Sequence, residues 1–147
     1  MQVLRDFKEL LELLNEQKVK YIIVGGYAVA FHGAPRYTGD IDILVKPDRQ
    51  NAARIIKALK DFGFASLKLK ETDFEEPDIT IQFGVAPVRV DIITSISGVT
   101  WQKAFQGRKK GKYGDVPVAY LGRKQLMENK KATGRPKDLA DIDALKK

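Results

Sequence analysis

Asp40 and Asp42 stand two residues apart in GDIDILVKP (39–47), at the mouth of an otherwise apolar run, and Gly25-Gly26 lies a short way upstream. Carboxylates are costly to bring beside a core unless something pairs with them, so the spacing asks for a partner. On a strand, residues two apart point the same way, roughly 7 Å apart at their Cα atoms. Asp40 and Asp42 therefore share a face, and Ile41, Ile43 and Val45 line the other. A third acid, Asp91, lies in PVRVDIITSI, where Arg89 and Ile93 share its face and Val88, Val90 and Ile92 take the opposite one. If that strand lies beside GDIDILV, three carboxylates meet at one point. Hard divalent cations take such all-oxygen ligands, and Mg²⁺ or Mn²⁺ held this way carries substrate phosphates. Two such ions about 4 Å apart stabilise the attacking and leaving oxygens of an in-line phosphoryl displacement. A glycine pair where a strand turns into a helix lets the backbone approach a phosphate, whose charge suits a helix N-terminus. Alone, an Asp-x-Asp is a solvated strand end and a Gly-Gly is a tight turn. Together with Asp91 they point to phosphate and metal chemistry.

The elements that must position these residues are legible from periodicity. Residues 3–17 space Val3, Leu4, Phe7, Leu10, Leu11 and Leu14 as an amphipathic helix. YIIV (21–24) is a buried strand that stops at Gly25-Gly26, and YAVAFHG is a short helix ended by Gly33 and a turn at Pro35. GDIDILVKP is a central strand, and Asp48 is the expected N-cap of the helix RQNAARIIKALKDF, which ends at Gly63. The stretch 64–76 is irregular and acidic. DITIQFG and PVRVDIITSI make an antiparallel hairpin with a connection of about three residues. VTWQKAFQ is a short helix, and KKGKYGDVPVAYL is a second hairpin or a loop into a strand. Two helices, RKQLMENKKA and PKDLADIDALKK, close the chain, broken at Thr133-Gly134. The fold class is α+β, a small mixed sheet flanked by helices with a C-terminal helical pair. We expect one domain over 1–147, with about 122–147 appended to it.

Bulk composition narrows the function. The 147 residues are 44% hydrophobic and 31% charged, as for a soluble globular protein, and contain no cysteine, which excludes disulfides and thiolate metal sites. No membrane span or signal-peptide pattern stands out, which gives the expectation of a cytoplasmic protein. The net charge is +7, and the basic residues gather between 103 and 137, where only Asp115 and Glu128 oppose them. A charge of this sign is either plain solvated surface or a side that faces polyanions such as nucleotide or RNA.

On the residues GG, HG-x-x-R-x-T-x-DID, RVDIITSISGV and KKATGRPKDLADIDAL, the chain resembles the nucleotidyltransferase superfamily that includes DNA polymerase beta. More narrowly it is similar to the minimal, AbiEii-like nucleotidyltransferases of abortive-infection type toxins. The resemblance implies transfer of a nucleoside monophosphate from an NTP to an acceptor hydroxyl, with Mg²⁺ or Mn²⁺ as cofactor. The acceptor would be RNA, tRNA in particular, a protein side chain or a small molecule, and an antitoxin protein a possible partner. It implies that Asp40, Asp42 and Asp91 bind metal, Asp91 also serving as the base for the acceptor hydroxyl. Gly25 and Gly26 would cradle the β and γ phosphates. Lys130, Arg135 and Lys137 would make cationic phosphate or acceptor contacts, Lys130 in a catalytic role, with Arg36 on the triphosphate and Thr38 holding the DID strand. Many members have Gly-Ser where this chain has Gly-Gly, which costs one hydroxyl contact. His32 reads first as a helix-end residue. Trp101, Phe105 and Tyr113 are either core or stacking platforms, Lys109-Lys110 surface, and Asp138 and Asp141 helix-start charges, Asp141 paired with Arg135 or Lys137. The alternative of another class is a non-catalytic module that keeps the fold to bind nucleotide or a partner.

Overall fold

A computed structural model describes residues 3–35, 37–64 and 68–147. The amphipathic start forms α1 (Arg5–Glu16), which buries Phe7, Leu10, Leu11 and Leu14. The apolar run that follows is β1 (Tyr21–Val24), buried at every position. It passes directly into α2 (Gly25–Phe31), so the helix begins at the glycine pair rather than at Tyr27. Gly25 makes this possible, since its φ of +66° is one that other residues rarely adopt. β2 (Asp40–Val45) has Asp40 and Asp42 half-buried and all its other residues buried, as the period-two pattern requires. α3 (Arg49–Asp61) starts at Asp48, whose carboxylate accepts the Asn51 amide at 2.7 Å. A single 3-10 turn, Glu71–Phe74, precedes β3 (Thr80–Phe83) and β4 (Arg89–Ile93). Residues 84–88 connect these two strands, a longer link than expected. Then come α4 (Trp101–Gly107), the hairpin β5 (Lys109–Tyr113) and β6 (Val116–Tyr120), α5 (Arg123–Thr133) and α6 (Pro136–Lys146). α5 stops at Gly134, in the left-handed conformation, and Pro136 opens α6.

The six strands form one mixed sheet in the order β3-β4-β2-β1-β6-β5. β2 is central, antiparallel to β1 and parallel to β4, and the second register sets Asp42 opposite Asp91 and Asp40 opposite Arg89. The outer hairpin joins β1 in parallel through the Ile23–Tyr120 pair. α1 packs on α3 and β6, α2 on β1 and β2, and α5 on α4 and α6. Buried Asn51 fixes the ends of both inner strands. Its side-chain amide donates to the carbonyls of Lys20 (3.0 Å) and Lys46 (2.9 Å), and its oxygen accepts the Lys20 amide at 2.7 Å. β2 is thus anchored at the end opposite its carboxylates. Among the described residues, no helix is long and apolar enough to cross a membrane.

Candidate active site

β2 and β4 bring Asp40, Asp42 and Asp91 together: one oxygen from each lies within 4.8 Å of the others, the set among the described residues with the donors for a cation. The strands do this by register alone, since in-register neighbours on a parallel pair share a face. Gly25 packs against this cage so closely that a Cβ there would run into Asp42 Oδ2. A Cβ on Gly26 would stand 2.9 Å from Thr38 Cβ and Oγ1. Thr38 in turn donates its hydroxyl to the Asp40 carbonyl and carboxylate, each at 3.1 Å, the strand-holding contact expected of it. The cage opens into a cleft of about 390 Å³ whose far wall carries Asn129, Lys130, Thr133, Arg135 and Lys137 of the C-terminal helices. Arg36, expected near the phosphates, lies outside the described residues.

The partner that the carboxylates needed is already in the chain. Arg89, two residues before Asp91 on the same face, donates Nη2 to Asp40 at 2.9 Å and to Asp91 at 3.1 Å, and Nε to Asp91 at 3.1 Å. The Gln82 amide reaches Asp91 at 3.4 Å from β3. Asp42 receives no such cation among the described residues: burial, and then the charge of Asp40, push its pKa up to about 8. Burial also raises Asp91 despite the Arg89 contact. Burial works against the Asp40 charge too, but hydrogen bonds from Asp42, Asp91 and Thr38 and the Arg89 charge outweigh it, so its pKa falls below the usual carboxylate range. Three crowded carboxylates, two of them with raised pKa values, are a donor set that a hard divalent ion suits, because the ion offsets their mutual repulsion.

The far wall carries Lys130, Arg135 and Lys137, of which phosphate or acceptor contacts are expected, and acids of the tail engage two of them. Lys130 is only 4% exposed, and its ammonium sits 3.4 Å from Asp138 and 3.2 Å from Asp141. Among the described residues Asp141 thus pairs with Lys130, and no ion pair joins it to Arg135 or Lys137. Asp138, wholly buried, also accepts Arg135 Nε and the Thr133 hydroxyl at 2.7 Å each and the Arg135 backbone amide at 3.2 Å. Lys137 has no ion pair among the described residues. His32 closes α2 and bonds the Leu121 carbonyl at 2.7 Å, its helix-end role. Tyr113 is core. Trp101 and Phe105 pack together against the core and line no part of this cleft. Sequence reasoning missed Arg89 as the internal counter-ion and Asn51 as the anchor. The signal for Arg89 was present in its shared face with Asp91.

Solved structures of nucleotidyltransferases and of a nucleotidyltransferase-like protein share this fold. The chain is similar to a putative nucleotidyltransferase from Thermotoga maritima (TM-score 0.64, 15% identity, 95% of this chain and 89% of that one). It is also similar to the lincomycin-bound lincosamide antibiotic adenylyltransferase LnuA (TM-score 0.58, 16% identity, 99% and 98%). A third likeness is to an antigenic nucleotidyltransferase-like protein from Paracoccidioides brasiliensis (TM-score 0.57, 19% identity, 92% and 71%). The sequence model of the aminoglycoside-2''-adenylyltransferase family matches residues 6–129, and the chain belongs to that family. The matched span holds the glycine pair and all three aspartates and ends just before Lys130. No curated protein matches the chain by sequence.

Proposed function

We propose that the protein transfers the nucleoside monophosphate of an NTP to a hydroxyl of a small-molecule acceptor, releasing pyrophosphate, in a Mg²⁺- or Mn²⁺-dependent reaction. The convergence of Asp40, Asp42 and Asp91 within 4.8 Å carries this reading. When bound, the divalent ion would neutralise charge on the phosphates. The remaining work falls to the chain. The Gly25–Gly26 turn presents backbone without side chains to the cleft beside Asp42, and Lys137 and Arg135 supply positive charge from the opposite wall. Asp91, with its raised pKa, takes the acceptor's proton as the acceptor oxygen bonds to the α-phosphorus and the α–β bridge breaks. Lys130, enclosed by two carboxylates, acts by docking α6 over the cleft.

The matching family and LnuA are both adenylyltransferases of a small molecule, an aminoglycoside in one and a lincosamide in the other. They favour ATP as donor and a small hydroxylated acceptor. The net charge of +7 favours a second reading, in which the acceptor is RNA and the protein a toxin-like enzyme held by an antitoxin. The deciding experiment incubates the protein with each α-labelled NTP and Mg²⁺, adding lincomycin, an aminoglycoside or total RNA in turn. We expect pyrophosphate release and a labelled small molecule, both lost in Asp42→Asn. Label on RNA would favour the second reading. Mg²⁺-dependent nucleotide binding with no pyrophosphate release under any condition would leave a non-catalytic binding module.

A further inference from the structure

Among the described residues the Arg89 side chain makes three hydrogen bonds, all to the cage: Nη2 to Asp40 and Asp91, and Nε to Asp91. It engages both oxygens of Asp91 and one oxygen of Asp40, on two of the three carboxylates that would hold a divalent ion. We infer that Arg89 is a displaceable counter-cation, which holds the carboxylate cage in its metal-free form and withdraws when a divalent ion binds. The inference rests on reading the triad as a metal site.

One physical argument and two observations support a guanidinium that leaves over one that stays. A guanidinium and a divalent ion cannot share the same carboxylate oxygens at contact distance without strong like-charge repulsion. The Arg89 side chain is 41% exposed, whereas that of Asp91 is 8% exposed, so the arginine has a route into solvent and the carboxylate does not. Gln82 Nε2 also reaches Asp91 Oδ2 at 3.4 Å, so that carboxylate keeps a tether from β3 when the arginine departs. The arginine thus spares the empty cage its mutual repulsion, and the ion must compete with it. Arg89 is a positioning residue in this account.

The test titrates the nucleotide-free protein with Mn²⁺, reading free Mn²⁺ by electron paramagnetic resonance and stability by thermal unfolding. Arg89→Met should melt lower than wild type in EDTA, bind Mn²⁺ about tenfold more tightly, and gain more stability from it. Arg89→Lys, whose single ammonium cannot span both carboxylates, should fall between the two, and it serves alone if Arg89→Met does not fold. In wild type carrying ¹⁵N-arginine, the Arg89 Nε–H resonance should be protected from exchange in EDTA and lose that protection at saturating Mg²⁺. If wild type binds Mn²⁺ and the variants bind it no more tightly, or if the protected resonance survives Mg²⁺, the proposal is wrong while the metal site stands. If wild type binds Mn²⁺ no better than Asp42→Asn, the metal reading fails and takes this proposal with it.

Discussion

Replacing Lys130 by alanine tests whether the tail cations serve the ligand or the fold. Its ammonium stands 3.4 Å from Asp138 and 3.2 Å from Asp141, with all three side chains less than a tenth exposed. Removing one member of a buried ion pair typically costs 3–5 kcal/mol, because the remaining charge loses its compensation. Asp138 keeps Arg135 and the Thr133 hydroxyl, so we take the lower end, about 3 kcal/mol. For a chain of this size that corresponds to a fall of about 6–12 °C in Tm. Lys130→Met, which keeps most of the packed stem but not the charge, should lose nearly as much, assigning the effect to charge over volume. Thermal unfolding followed by circular dichroism reads both variants, and nucleotide titration well below the lowered Tm reads the site. Binding should then be largely retained, since the ammonium is committed to two carboxylates. A Lys130→Ala protein that melts within about 2 °C of wild type yet no longer binds nucleotide would refute this reasoning. Lys130 would then be spending its charge on the substrate.

Two further outcomes follow from the same geometry. The pKa of Asp138 is held well below the ordinary carboxylate range: burial opposes this, but donation from Arg135 and Thr133 and the Lys130 charge prevail. Its stabilising contribution is therefore complete above the unfolded value of about 3.9 and is lost as pH falls through the depressed folded value. Wild-type Tm should drop below about pH 4, and Asp138→Asn, already less stable at neutral pH, should show a shallower drop in a scan from pH 7 to 2. Gly25→Ala places a side chain at φ +66° and into the Asp42 carboxylate. The backbone alone should cost about 1–2 kcal/mol. The loss of Mg²⁺-nucleotide binding, measured by titration, should exceed that, and a folded variant that binds normally would move the phosphate site away from this turn.

Much of the architecture was legible because it rests on short-range patterns. Alternation alone placed Asp40 and Asp42 on one face and Val45 on the other, and Asp48 announced α3 through its cap. What the pattern could not supply was the identity of charge partners. Arg89 lay on the predicted face of Asp91, but alternation says nothing of which way a long guanidinium folds. The tail is harder still. In ENKKATGRPKD every residue from Glu128 to Thr133 other than Ala132 is polar, so no apolar stripe marks Lys130 as the lysine that turns inward while Lys131 stays exposed. That choice is made by Asp138 and Asp141 across the Gly134 break, a tertiary contact without a periodic trace. Gly25 likewise reads equally well as a loop or a helix start until its backbone angle is known.

The register of β2 on β4 bears on how such a chain can change over evolutionary time. Because Asp42 faces Asp91 by strand pairing alone, a one-residue insertion or deletion inside either strand would turn every residue beyond it to the other side of the sheet. It would bury a carboxylate among the apolar layer and expose an isoleucine in its place. Such an event removes the stability of the fold and the cage together. The segment between β3 and β4, and the turn at Gly114-Asp115 of the outer hairpin, are free of this penalty. Length variation among relatives should therefore collect in those connections, and the two inner strands should keep an unbroken residue count even where their apolar residues drift among valine, leucine and isoleucine.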